Sequence, residues 1–294
     1  METLTSAFAN LIKEAVVKST AVKKVTEENV YQEGNSEIVP LLDKMVEALI
    51  LPGSGISGME NIRELFSLLK KGHPCLLLLE HYSNLDYALF HYFLRKEEGN
   101  SAIADALVAI AGKKLTEDSP VVAAFTSAYT RLVIFPSRSL QALDPEKDRE
   151  EIQRSTLINR SATRTLIRIK ENGKLVLVFP SGTRYRPGDP STKQGVREID
   201  SYIRLFEYMC PIAINGEVLH FNPGDMMEDS VSQDLVLLTA GPIMKCSDFR
   251  EQVRAKAEAD GFEDKKQAVV DAVMKMLDEL HDKAEIERQK LINH

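Results

Sequence analysis

The stretch Pro74-Cys75-Leu76-Leu77-Leu78-Leu79-Glu80-His81-Tyr82-Ser83-Asn84-Leu85-Asp86 decides how the chain is read. Its apolar run, Cys75–Leu79, has the length and composition of a strand. A polar turn follows, and from Leu85 to Arg95 the apolar residues recur at helical spacing. The same texture repeats downstream. Apolar runs at Ala106–Ala111, Leu132–Phe135, Leu175–Phe179, Ile212–Ile214 and Leu235–Leu238 alternate with helical patterns at Ser119–Ala128, Asp148–Lys170 and Asp200–Tyr208. Such alternation predicts an α/β fold, a mostly parallel mixed sheet flanked by helices. Ligands of these sheets bind beyond the carboxyl ends of the strands. A helix over about Lys265–Leu291 carries Val270, Val273, Leu277 and Leu280 on one stripe.

Upstream of Pro74 the pattern differs. Phe8, Leu11, Ile12, Ala15 and Val16 share a helical face, and a polar break follows at Gln32–Ser36. A second helix is expected over Ile38–Leu51, ended by Pro52–Gly55, and a third from Met59 to Lys71. No strand pattern precedes Pro74. The expectation is a small helical N-terminal domain, residues 1–72, ahead of an α/β domain, residues 73–294.

Composition narrows the function classes. With 294 residues, 44% hydrophobic and 28% charged, the chain can bury a large core, which excludes collagen-like, mucin-like and wholly disordered readings. No apolar run approaches the ~18 residues of a membrane-spanning helix. A formal charge of −7 is a poor match for a general nucleic-acid partner. Cys75, Cys210 and Cys246 are widely spaced and form no CxxC pair, so neither a disulfide framework nor a zinc site is indicated. A reducing, cytoplasm-like compartment fits this usage. The opening METLTSAFANLIKEAV lacks the charged start, apolar block and cleavage site of a secretory signal.

Three strand ends carry chemistry. His81 and Asp86 form an H-x4-D pair, with the His at the end of a strand and the Asp near the start of a helix. That placement brings a carboxylate to one imidazole nitrogen and leaves the other facing the cleft as a general base. A plainer reading makes Asp86 a helix cap and His81 a loop residue. After the Leu175–Phe179 run comes Pro180-Ser181-Gly182-Thr183-Arg184-Tyr185-Arg186-Pro187, a turn rich in backbone N–H groups followed by two arginines. It suits a phosphate or another dianion, or else is a surface turn with solvated arginines. Arg138 follows the Leu132–Phe135 run in the same way. If these strands are neighbours, all three groups meet at one edge of the sheet.

His81-Tyr82-Ser83-Asn84-Leu85-Asp86, followed downstream by Phe179-Pro180-Ser181-Gly182-Thr183-Arg184, resembles the glycerolipid acyltransferase superfamily, with its H-x4-D and F-P-E-G-T-R-type blocks. Arg138 resembles the intermediate arginine block, and Pro211-Ile212-Ala213-Ile214 the later proline-led strand. Within the superfamily the chain is most similar to the soluble glycerol-3-phosphate acyltransferases of plastids and some bacteria. They share Pro180-Ser181-Gly182, Arg184-Tyr185-Arg186-Pro187 and Asp189-Pro190-Ser191-Thr192. The likeness is clear over residues 74–215. It departs at Glu80, where Asn often stands, and at Ser137-Arg138-Ser139, where these proteins carry Lys-His.

The resemblance implies acyl transfer from a thioester of acyl carrier protein or coenzyme A to the sn-1 hydroxyl of glycerol 3-phosphate. His81 is the implied base, Asp86 its orienting partner, and Arg184, Arg186 and Arg138 the phosphate ligands. Backbone N–H groups near Ser181 and Gly182 are candidates for an oxyanion donor. No metal or bound organic cofactor is expected, because the acyl thioester arrives as co-substrate. The compartment implied is cytoplasm, or plastid stroma in a plastid-bearing source, with transient contact at a membrane surface. Arg160, Arg164 and Arg168 share one helix face and are a candidate docking face for an acidic carrier protein or an anionic membrane, or simply a solvated face. Lys113 and Lys114 are a weaker candidate. Tyr82, Tyr87 and Phe90 are expected to pack around the helix or to line an acyl groove, and His91 to pack. His73, His220, His281 and His294 belong to no partner motif. Two rival readings remain: an acyltransferase acting on lysophosphatidate or another lysophospholipid, and a non-catalytic lipid- or phosphate-binding protein.

Overall fold

The computed structural model describes residues 2–223 and 226–293. His294, one of the histidines without a sequence partner, lies outside the described residues. The strands, in chain order, are β1 (Glu2–Thr3), β2 (Tyr31–Gln32), β3 (Gly55–Ser57), β4 (Cys75–Leu79), β5 (Leu107–Gly112) and β6 (Arg131–Ile134). They continue as β7 (Leu175–Val178), β8 (Tyr208–Asn215), β9 (Leu219–His220), β10 (Ser230–Val231), β11 (Leu237–Ala240) and β12 (Met244–Lys245).

The main sheet has the order β2-β6-β5-β7-β4-β8-β11-β3, with β12 also on β8. Its core, β6-β5-β7-β4-β8, is entirely parallel. β2, β11 and β12 run antiparallel to their neighbours in this core. The fold is thus α/β with a mixed, mostly parallel sheet between helices. β4 sits inside it, with Leu76 opposite Val176 of β7 and Leu77 opposite Cys210 of β8.

Every residue of β4 is 0% exposed, because alternate side chains enter different layers. Cys75, Leu77 and Leu79 join the layer built by the helices Val39–Leu49, Met59–Lys70 and Asp86–Lys96. Leu76 and Leu78 join Ile158, Leu166, Val270, Val273 and Leu277 of the helices Arg149–Glu171 and Lys265–Ile292. Each such leucine contributes roughly 1.5–3 kcal/mol of burial, so the strand end that carries His81 is firmly fixed.

Two features correct the sequence reading. Strands do precede Pro74: β2 pairs with β6 and β3 with β11, so the N-terminal region supplies both edges of the main sheet. These are pieces of two and three residues, too short to show a period. Their extended backbone is set by the strands they pair with. The second correction is β8, which spans Tyr208–Asn215, while the helix before it stops at Leu205. Pro211 interrupts the apolar pattern there. Its position falls between the residues that pair with β11 and those that pair with β12, a gap where a missing N–H is tolerated. β1, β10 and β9 form a small separate sheet.

Candidate active site

His81 and Asp86 meet. The turn after β4 brings His81 Nδ1 to 2.9 Å from Asp86 Oδ2. The same oxygen accepts the Tyr82 N–H at 2.6 Å and the Ser83 N–H at 2.8 Å, while Oδ1 accepts the Ser83 hydroxyl at 2.7 Å. Asp86 is 2% exposed and opens the helix Asp86–Lys96. It therefore ties down the turn and holds the imidazole, but it does not cap the helix: the N-cap position is Leu85, with no side-chain bond. Nδ1 of the imidazole thus faces the carboxylate, and Nε2 is the ring nitrogen turned away from it. Phe179, at the end of β7, stacks on the ring with centroids 4.1 Å apart, and the His81 carbonyl accepts the Tyr185 N–H at 2.8 Å.

The arginine-bearing loop leaves β7, the direct neighbour of β4. Its turn is closed by the Gly182 N–H donating to the Phe179 carbonyl at 2.9 Å, so that candidate oxyanion donor is engaged. Gly182 has φ of +65° and an added Cβ would lie 3.0 Å from Val196 Cγ1, which explains glycine there. Ser181 is buried, and its hydroxyl donates to the Thr183 carbonyl at 2.6 Å. The Asp189–Thr192 segment folds the loop back: Thr192 Oγ1 accepts the Arg186 N–H at 2.9 Å. Arg186 is exposed. Arg184 is not free, since both its terminal nitrogens bond the carboxylate of Asp229.

Arg138 reaches the same loop, donating to the Gln194 carbonyl at 3.2 Å. Its strand, β6, is not adjacent to β7, because β5 lies between them. All three groups nonetheless lie at one edge, since the core strands are parallel. The Arg160, Arg164 and Arg168 face is exposed but is not brought to this edge. Its helix runs from the loop after β6 back to the start of β7, so Arg168 lies toward the opposite edge. Lys113 is ion-paired with Glu117 at 3.2 Å and with Glu151.

Several partners carry no sequence signal. His281, from the helix Lys265–Ile292, lies 2.9 Å from the Glu80 carboxylate, whose Oε2 also accepts the Ile214 N–H at 2.8 Å. His281, which belongs to no sequence motif, thus finds its partner far away in the chain. His73 is likewise paired with Glu207, and His220 with Ser232. Tyr82 lies beside Glu80 and His281, and Glu80, His81, Tyr82, Lys193 and Leu277 together line a crevice. His91 packs among Tyr87 and Tyr129; burial, aided by Arg95, pushes its pKa down to about 4, so it stays neutral.

The parallel sheet thus carries a His–Asp pair at one strand end and an arginine-bearing loop at the next. The chain matches the family model described as Acyltransferase over residues 55–224, more than half its length, and belongs to that family. It is accordingly an acyltransferase of lipid metabolism, with an acyl donor and a lipid-type acceptor. No curated protein matched the chain. Among the described residues, no helix is long and apolar enough to cross a membrane.

Proposed function

We propose that the protein transfers an acyl group from a thioester to the sn-1 hydroxyl of glycerol 3-phosphate, giving 1-acylglycerol 3-phosphate. The observation that carries this reading is the adjacency of β4 and β7, which sets Arg184 and Arg186 at the strand end next to the His81–Asp86 pair. A small phosphorylated alcohol gripped by the arginines presents its hydroxyl to Nε2. His81 takes the hydroxyl proton as the oxygen attacks the thioester carbonyl, and Asp86 holds the ring and stabilises the imidazolium. The proton then passes to the departing thiolate, so the base is regenerated. Arg138 steadies the loop and adds positive charge. The oxyanion of the tetrahedral intermediate requires a donor, and at the Ser181 turn that role falls to the backbone N–H of Ser181. The reaction uses no metal or bound organic cofactor. Acyl carrier protein and coenzyme A thioesters are the donors to compare.

The test is acyl transfer by purified protein, offering glycerol 3-phosphate or lysophosphatidate with each donor. Product from glycerol 3-phosphate, lost in His81→Ala, supports the reading. Product from lysophosphatidate alone moves the acceptor. Silence with every pair in folded protein returns the chain to a binding role.

A further inference from the structure

We propose that Asp229 and Phe221 are positioning residues for the arginine pair, so that the segment between β8 and β11 sets the grip on the acceptor's phosphate. This rests on the reading that Arg184 and Arg186 bind that phosphate. Asp229 is 0% exposed, and a carboxylate so far from water is held only by strong compensation. The compensation is Arg184: Nη1 and Nη2 both bond it, and the Asn222 N–H adds a bond of 2.8 Å to Oδ1. That pairing takes one edge of the guanidinium and leaves Nε–H and the outward Nη hydrogens for an anion. The Phe221 ring centroid lies 4.9 Å from the Arg184 guanidinium carbon and 6.0 Å from that of Arg186, so one aromatic ring serves both cations.

The backbone that presents Asp229 is itself fixed. The next residues, Ser230 and Val231, pair with His220 and Leu219 on one side and with Thr3 and Glu2 on the other. The Asp229 carbonyl accepts the Leu4 N–H at 2.8 Å, and the Thr5 hydroxyl donates to the Met227 carbonyl at 2.7 Å. Small-sheet geometry is thus transmitted through a buried carboxylate to the cation at the end of β7. A pre-ordered arginine loses less rotamer freedom on binding than a mobile one, and the gain appears as affinity for the anion.

The experiment titrates glycerol 3-phosphate calorimetrically into full-length protein and measures KM and kcat alongside, for wild type, Asp229→Asn, Asp229→Glu and Phe221→Leu. The expected result is that Asp229→Asn weakens glycerol 3-phosphate binding and raises its KM about tenfold. The KM of the acyl thioester should hold and kcat should stay within about twofold, the pattern of lost acceptor binding. Asp229→Glu should recover part of the loss, and Phe221→Leu should show the same selective rise more weakly. Should Asp229→Asn fail to fold, Phe221→Leu decides. Unchanged binding in folded variants, or an equal loss for both substrates, overturns the proposal while leaving the acyl acceptor intact. A wild type that neither binds nor acylates glycerol 3-phosphate removes the acceptor reading and this inference together.

Discussion

Nδ1 of His281 lies 2.9 Å from Oε2 of Glu80, the residue directly before His81, although 201 positions separate the two in the chain. Burial raises the pKa of Glu80 above 4.5 against the pull of His281. For His281, burial works downward, but the bond and charge of Glu80 outweigh it and the pKa rises above 6.5. Lys193, opposing this, and Glu285, assisting it, also face the imidazole. The folded chain therefore binds protons here that the unfolded chain has released, and stability falls as pH rises. The His281 contribution is fully present below about pH 6.5 and is lost as pH climbs through its higher folded value. Urea midpoints measured between pH 6 and 9 should decline, and His281→Gln should flatten that decline. Parallel slopes for the two proteins would sink the idea.

His81 and Asp86 should separate activity from stability. His81→Ala removes a mostly buried ring stacked on Phe179 and should lower the urea midpoint less than Asp86→Ala does, while kcat for acyl transfer falls ~10²–10⁴-fold. Asp86→Ala should lose activity and also stability. It strands the Tyr82 and Ser83 N–H groups, each about 1–3 kcal/mol when left without an acceptor. Equal destabilisation by the two changes would contradict these assignments.

The two arginines should behave differently as well. Arg184→Ala leaves Asp229 buried without its counter-charge, a loss of roughly 3–5 kcal/mol. Arg186→Ala alters an exposed side chain and should shift stability by no more than about 0.5 kcal/mol. Both should raise the KM for a phosphorylated acceptor. Chemical denaturation of the pair of variants reads the contrast directly, and matching midpoints would refute it.

The thiols should be silent in the folded protein. Cys75, Cys210 and Cys246 are free and buried, and burial pushes each pKa up to about 12. The reactive thiolate is therefore scarce at pH 8. A colorimetric thiol assay should register none before denaturation and all 3 afterwards. Fast labelling of native protein at any one of them would be the contrary result.

What was legible in the sequence was local. Cys75–Leu79 reads as a strand because its whole run is apolar, and His81 reads with Asp86 because a single turn spans them. The arginines stand out because they follow at once on another apolar run. Their partners do not. Asp229 and Phe221 come from a stretch without period or motif, and only the folded chain brings that stretch to β7. His281 looks like any polar residue on a long helix until that helix packs beside the end of β4. β2 and β3 were invisible for the same reason, since each owes its extended backbone to a distant neighbour.

β4 is bonded to β7 on one side and to β8 on the other, and no residue of it touches solvent. Its backbone amides should therefore rank among the slowest to exchange hydrogen for deuterium, opening only when the whole sheet opens. The imidazole proposed to meet the substrate follows directly on this buried strand. Whatever adjusts as acceptor and donor arrive must move around it, and the turn from Arg186 to Ser191, with Gly188 inside it, is an exposed stretch of the loop after β7.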